Sequence, residues 1–304
     1  MRIHPYVKCA LDAGEAVVAM ESTLISHGLP FPENLQVAQA MEQAIRAEGA
    51  IAATIAILSG EPIIGLDNAQ MEYIARSKEV RKCSRRDLAI VVAKGLDGAT
   101  TVSGTMALAH KAGIRVFVTG GIGGVHRGHP FDVSADLEEL ARTPMIVVCS
   151  GAKALLDLEA TRERLETLGV PVLGYQTDHF PAFYTRESEL SVDMRVDGPG
   201  EVVAIARARD ELGLQAAVLV TVPVPREDEL PREEAESAIG EAVRLAEEKG
   251  IRGEMVTPFI LARVAELTQG RSLRANLSLL VNNARVGARI ARAFVVGQMT
   301  SFVL

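Results

Sequence analysis

Met145-Ile146-Val147-Val148-Cys149-Ser150-Gly151-Ala152-Lys153 is an unbroken apolar run, a hinge of small residues and then a cation. A run that is apolar at every position suits a strand buried on both faces, as in a parallel sheet. Past the hinge, leucines recur at 155, 158, 165 and 168 and Gly169 stands where a helix stops, so the spacing predicts a helix over 152–168. Lys153 is then expected in the first turn of a helix, at the carboxyl end of a strand. A cation there meets the positive end of the helix dipole, an unfavourable placement for structure alone. The same field favours the free amine, the form that attacks carbonyl-like carbon. The competing reading is a solvent-facing lysine paired with Asp157, in the weaker base-before-acid orientation.

Outward from this unit the chain alternates strand and helix. Ala16–Met20, Ala53–Leu58, Pro62–Leu66, Ala89–Ala93, Val116–Thr119, Val172–Tyr175 and Ala217–Val224 are β-branched or apolar runs. Ser59-Gly60-Glu61 is set to turn a hairpin between the second and third of them. Apolar spacing predicts helices over 34–49, 101–112, 232–249, 258–268 and 274–293. This order predicts an α/β protein: three α/β/α layers around a mixed, largely parallel sheet. The stretch Pro223–Pro231 is the most linker-like, but the sequence beyond it is helical and offers no strands for a second sheet. Residues 1–304 are therefore expected to form one domain.

Composition narrows the function classes. With 304 residues, 48% of them hydrophobic, the chain can bury a large core. A net charge of −7 argues against a general nucleic-acid footprint, so anions must be met by local basic pockets. Cys9, Cys83 and Cys149 are far apart and show no metal-ligand spacing. The N-terminus lacks a signal-peptide layout and no segment reaches membrane-spanning length. A soluble, cytoplasmic protein without membrane or nucleic-acid partners is expected.

Four further stretches carry chemistry. Glu21 follows an apolar strand and precedes Ser22-Thr23 and a loop stiffened by Gly28, Pro30 and Pro32. Held in a partly apolar site it can act as a general acid; in water it is only a strand-end carboxylate. Gly120-Gly121-Ile122-Gly123-Gly124 lets backbone approach a ligand closely, but His126 stands where a dinucleotide fingerprint needs glycine. Phe131-Asp132-Val133-Ser134-Ala135-Asp136 offers hard oxygen ligands for Mg²⁺ or Mn²⁺, or else simply caps a helix beginning near Leu137. Arg76, Lys78, Arg81, Lys82, Arg85 and Arg86 form a basic run in an acidic protein. Only one or two of these can converge on a phosphate. The hydroxyl-rich Thr100-Thr101-Val102-Ser103 at a predicted helix start is a second place suited to that anion.

Together with Thr257–Val264 and the segment from Asn276 through Asn282-Asn283, these stretches resemble the pseudouridine-5′-phosphate glycosidases, in order and over nearly the whole chain. The resemblance implies reversible breakage of the C–C bond of pseudouridine 5′-phosphate to give uracil and ribose 5-phosphate. It also implies an α/β/α fold, a homotrimer and one Mn²⁺ per subunit. Carried over motif by motif, Lys153 is the nucleophile at C1′, Glu21 the proton donor and Asp132 the metal ligand. Lys82, Val102, Ser134, Ala135 and Asp136 line the substrate, Asp136 also as a proton shuttle, with His126 and Asn276 as further contacts. The segment between His126 and Phe131 is shorter than in the family.

Two other functions use the same residues. A class I aldolase-like enzyme also places a lysine at a strand end on phosphorylated sugars, and it needs no metal. A sugar-phosphate or nucleotide sensor would bind the same ligands with Lys153 dispensable.

Overall fold

A computed structural model describes residues 1–251 and 256–301, and side chains within that range except Thr257 and 297–301. The strands are β1 (Arg2–Ile3), β2 (Val17–Met20), β3 (Ile51–Leu58), β4 (Glu61–Ile64), β5 (Arg81–Cys83), β6 (Gly98–Thr100) and β7 (Val116–Val118). They continue with β8 (Val125–His126), β9 (His129–Val133), β10 (Ile146–Cys149), β11 (Leu156–Asp157), β12 (Val172–Tyr175), β13 (Met194–Val196) and β14 (Val218–Thr221). The helices are α1 (Pro5–Asp12), α2 (Thr23–Ser26), α3 (Glu33–Ala47), α4 (Asn68–Arg76), α5 (Leu88–Ala93) and α6 (Val102–Lys111). The second half adds α7 (Ala135–Leu140), α8 (Leu158–Thr167), α9 (Pro199–Glu211), α10 (Arg232–Glu248), α11 (Val256–Leu267) and α12 (Arg271–Ser301).

The central sheet runs β1-β4-β3-β2-β7-β10-β14-β12-β13, with β6 and then β5 branching from β3. From β3 to β13 every neighbouring pair is parallel, whereas β4 and β6 run antiparallel to β3. The expected mixed, largely parallel sheet is the one found. Strands β2, β7, β10 and β14 are buried along their whole length, which requires helices on both faces. Helices α3, α9 and α12 pack as one group and α6 with α7 as another. The Ser59-Gly60 turn has φ of 48° and 77°, the left-handed pair that a two-residue hairpin demands.

Two expectations fail. Residues 89–93 form helix α5 rather than a strand. Ser84 and Asp87 make a reciprocal capping box that starts a helical turn just before it, and this local signal overrides the β-branched run. The second failure, at Lys153, belongs to the site. Cys149 is a fully buried core residue, and burial pushes its thiol up to about 12, leaving it unreactive.

Candidate active site

Strands β2 and β6 share one edge of β3 but approach it from opposite directions. Met20 pairs with Thr54 and Ala99 with Ala56, so the carboxyl ends of the two strands meet head-on. The residues after each are thereby brought together from almost eighty positions apart. Glu21 is 3% exposed, so it is not a strand-end carboxylate in water. Its oxygens accept from the hydroxyls of Thr23 and Thr119. Beside it, Thr100 donates its N–H to the Ser22 hydroxyl at 2.9 Å and its own hydroxyl to the Ile55 carbonyl at 2.7 Å. Thr101 then caps α6.

Lys153 arrives from the next strand ends. The ladder between β7 and β10 stops at Val118 and Val148, and a bridge from Ile122 to Ala152 continues it past the ends. The Lys153 N–H donates to the Ile122 carbonyl at 3.0 Å, and the Lys153 carbonyl accepts from Leu156 N–H at 3.0 Å. Gly151 has φ of 83°, and a Cβ there would lie 2.3 Å from the Pro181 carbonyl oxygen, so glycine alone fits the hinge.

The helix expected over 152–168 spans only Leu158–Thr167. Its cap is Asp157, whose carboxylate accepts from Ala160 N–H at 3.0 Å. Lys153 therefore lies in a turn ahead of the helix, and the dipole argument does not apply to it. The intervening Leu156-Asp157 joins a small second sheet, pairing antiparallel with β8, which draws this segment away from helix. The alternative pairing with Asp157 is absent too. Among the described residues no carboxylate lies within salt-bridge distance of Lys153.

The glycine-rich loop packs against the acidic stretch. A Cβ on Gly123 would fall 2.2 Å from the Ser134 hydroxyl, so this contact requires glycine. Gly123 N–H donates to one oxygen of Asp136 at 2.9 Å, and Ser103 N–H donates to the other at 2.9 Å. Asp136, 5% exposed, thus clamps the start of α6 to the loop with both oxygens. Ser134 is the N-cap of α7, accepting from Asp136 N–H at 3.2 Å. Ala135 and Asp132 are exposed.

These parts surround one cavity of about 1070 Å³. Glu21, Lys153, Asp132, His126, Lys82 and Asn276 all line it, as do Ser134, Ala135 and Asp136. Val102 does not: its side chain is fully buried in the core, and Thr101 and Ser103 on either side reach the cavity instead. Of the basic run, Arg81, Lys82 and Arg86 reach the wall, with Ser84. Arg76 pairs with Glu72, and Arg85 with the buried Glu139 at 2.5 Å. Asp87 braces the segment. It accepts from the Ser84 N–H at 3.1 Å and hydroxyl at 2.7 Å, and from Arg81 at 3.1 Å.

Sequence reasoning set Glu21 beside hydroxyls but named neither Thr23 nor Thr119 as its partner. Their only advance signal was a polar residue directly after an apolar run, at 119, and beside the acid, at 23. It also assigned no role to Asn283, which is fully buried on α12. For a metal, Asp132 is the exposed cavity carboxylate on β9, and no cluster of three His, Cys, Asp or Glu forms among the described residues. One carboxylate completed by water suits a hard divalent ion such as Mg²⁺ or Mn²⁺, which keeps much of its hydration shell, rather than zinc, which favours nitrogen and sulfur ligands.

The chain matches the family described as indigoidine synthase A like protein across residues 6–293. It is 54% identical over 287 residues to a protein of Caldanaerobacter subterraneus subsp. tengcongensis named pseudouridine-5′-phosphate glycosidase, covering 94% of each chain. Among solved structures it resembles an indigoidine synthase A-like protein of Thermotoga maritima, with TM-score 0.87, 39% identity and 93% and 94% of the two chains covered. It also resembles the prealnumycin C-glycosynthase solved with ribulose 5-phosphate, with TM-score 0.90, 38% identity and 98% of each chain covered.

Proposed function

This chain belongs to the indigoidine synthase A-like family, and from that premise we propose that it is a pseudouridine-5′-phosphate glycosidase. It would cleave pseudouridine 5′-phosphate reversibly to uracil and ribose 5-phosphate, with residues 1–304 working as one catalytic domain. The observation that carries this reading is the convergence of Lys153, Glu21 and the Lys82–Ser84 segment on one cavity. Relatives that bear this name at about half identity support it.

A C-glycoside has no nitrogen or oxygen leaving group at C1′, so oxocarbenium chemistry with two carboxylates suits it poorly. An amine offers another route. Lys153 attacks C1′ and the ring C–O bond opens, the ring oxygen taking a proton from Glu21. The ammonium so formed gives a proton back to the Glu21 carboxylate, and the nitrogen lone pair then forms C=N as the C1′–C5 bond breaks. That bond's electron pair goes to the uracil carbon, which takes a proton from Glu21. Water hydrolyses the imine, releasing ribose 5-phosphate and the free amine. Thr23 and Thr119 can both donate to the Glu21 carboxylate, and when it carries its single proton one of the two hydroxyls can rotate to accept it. Lys82, with Ser84 and Thr101, would take the 5′-phosphate, while His126, Ser134, Ala135 and Asn276 line the ribose and base. Asp136 serves through the loop it clamps, and Val102 through the backbone it anchors.

Mn²⁺ would be held by Asp132 and water, and would supply positive charge toward anionic groups of the substrate. A homotrimer in the cytoplasm completes the proposal. Incubation with uracil, ribose 5-phosphate and Mn²⁺ should yield a C-nucleotide by mass spectrometry; no product with active, folded protein overturns it. An aldolase would instead form a lysine adduct with no metal requirement.

A further inference from the structure

We infer that Asn283 is a positioning residue that sets the spacing between Lys153 and Glu21. The inference rests on the proposed glycosidase reaction. Asn283 lies on the buried face of α12, fully enclosed, between Leu279, Leu280 and Ala284. A lone amide in an apolar interface is retained at a desolvation penalty unless its groups are paired, and here they are paired with two strand ends. Its amide nitrogen donates to the Thr119 carbonyl at 2.9 Å, leans toward the Gly120 carbonyl at 3.5 Å and sits 3.1 Å from the Ser150 hydroxyl. Ser150 donates back to the amide oxygen at 3.2 Å.

The location gives these bonds their meaning. The parallel ladder between β7 and β10 ends at Val118 and Val148. Beyond it the two chains stay hydrogen-bonded, Ser150 N–H to the Gly120 carbonyl at 2.8 Å and Lys153 N–H to the Ile122 carbonyl at 3.0 Å, while they deliver different groups: Thr119, which donates to Glu21, and Ser150-Gly151-Ala152, which leads to Lys153. Asn283 bonds to both chains just past the strand ends, and its contact at Ser150 lies directly before the hinge Gly151 and three positions before Lys153. One helical turn on, Gly287 has no room for a side chain, since a Cβ would lie 2.1 Å from a Val118 methyl and 3.8 Å from a Val148 methyl. This close approach of α12 to both strands lets a side chain as short as asparagine reach the Thr119 carbonyl on one chain and the Ser150 hydroxyl on the other. Neither Asn283 nor Ser150 lines the cavity, whereas Thr119 and Gly120, whose carbonyls the amide meets, do, so the amide acts through the segments that carry Thr119 and Lys153.

The test is steady-state kinetics of Asn283→Ala and Ser150→Ala on pseudouridine 5′-phosphate with Mn²⁺, with thermal melting of each protein. Asn283→Ala should lower kcat on the order of 10- to 100-fold, the scale of a displacement near 1 Å between reacting groups, while KM changes less than about threefold. Ser150→Ala, which removes one oxygen and folds with less disturbance, should lower kcat in the same sense, and the double variant should lose less than the product of the two. A lowered Tm with wild-type kcat in both folded single variants would mean a purely structural amide and overturn the inference. If Asn283→Ala does not fold, wild-type kcat in Ser150→Ala overturns it alone. Wild-type protein that fails to turn over the substrate would instead defeat the glycosidase reading, a separate outcome.

Discussion

The backbone N–H of Thr100 donates to the hydroxyl of Ser22 at 2.9 Å, both residues being fully buried. This bond ties the strand that delivers Glu21 to the strand that delivers the hydroxyl-rich helix start. Ser22→Ala would leave that N–H buried without a partner, which costs about 1–3 kcal/mol. We expect a lowered Tm by calorimetry and a parallel loss of activity. An unchanged melting curve would show that another acceptor replaces the hydroxyl.

Lys153 should form a covalent adduct with ribose 5-phosphate. Borohydride treatment in the presence of substrate should add the mass of the reduced sugar phosphate to the peptide containing Lys153. Lys153→Ala should be inactive, and so should Lys153→Arg, because a guanidinium keeps its proton and cannot attack as a free amine. Full activity in either variant sinks the mechanism.

Chelation should abolish turnover and Mn²⁺ should restore it in the wild type. Asp132 supplies the exposed cavity carboxylate on β9, so Asp132→Ala should require far more metal for half-maximal activity. Isothermal titration of Mn²⁺ gives a readout apart from catalysis. Wild-type metal affinity in the variant would move the ion to another ligand.

The 5′-phosphate should be required. Charge-assisted bonds from Lys82 and neighbouring donors are worth roughly 1.5–3 kcal/mol each. Two of them, if additive, correspond to about 10²- to 10⁴-fold in kcat/KM. Because that energy orients the ribose over Lys153, its loss should appear in kcat as well as KM. Lys82→Ala should narrow the gap between pseudouridine 5′-phosphate and free pseudouridine. Equal kcat/KM for both substrates in the wild type would remove the phosphate subsite.

Acid should loosen the basic segment through Asp87. Burial raises its carboxyl, but the hydrogen bonds from Ser84 and the Arg81 guanidinium outweigh it and hold the group below the usual carboxylate range. A folded-state value below the unfolded one means stabilisation that is complete above the ordinary aspartate range, about 4. It fades as pH falls through the depressed value. Asp87→Asn should flatten the acid limb of a denaturation-versus-pH curve; an identical acid limb would place the dependence elsewhere.

Periodicity alone determined most of the sheet, because strands apolar at every position leave no other way to bury both faces. β10, β12 and β14, the Ser59-Gly60 hairpin and α3, α6 and α10 all lie close to where their residues predicted. Local reasoning failed where a neighbour in space competed with spacing. Leu155 and Leu158 fit a helix, but Leu156-Asp157 found a strand partner in Val125-His126, so Lys153 ended in a turn. Ala89–Ala93 looked like a strand, but the Ser84–Asp87 box had already committed the chain to helix. The candidate residues Glu21, Lys153, Lys82 and Asp132 were legible as chemistry at element ends. Their meeting was not, since it depends on β2 and β6 running head-on along β3 and on α12 crossing the ends of β7 and β10. Those are choices of register and packing between segments up to 164 positions apart, and no single stretch of chain carries them.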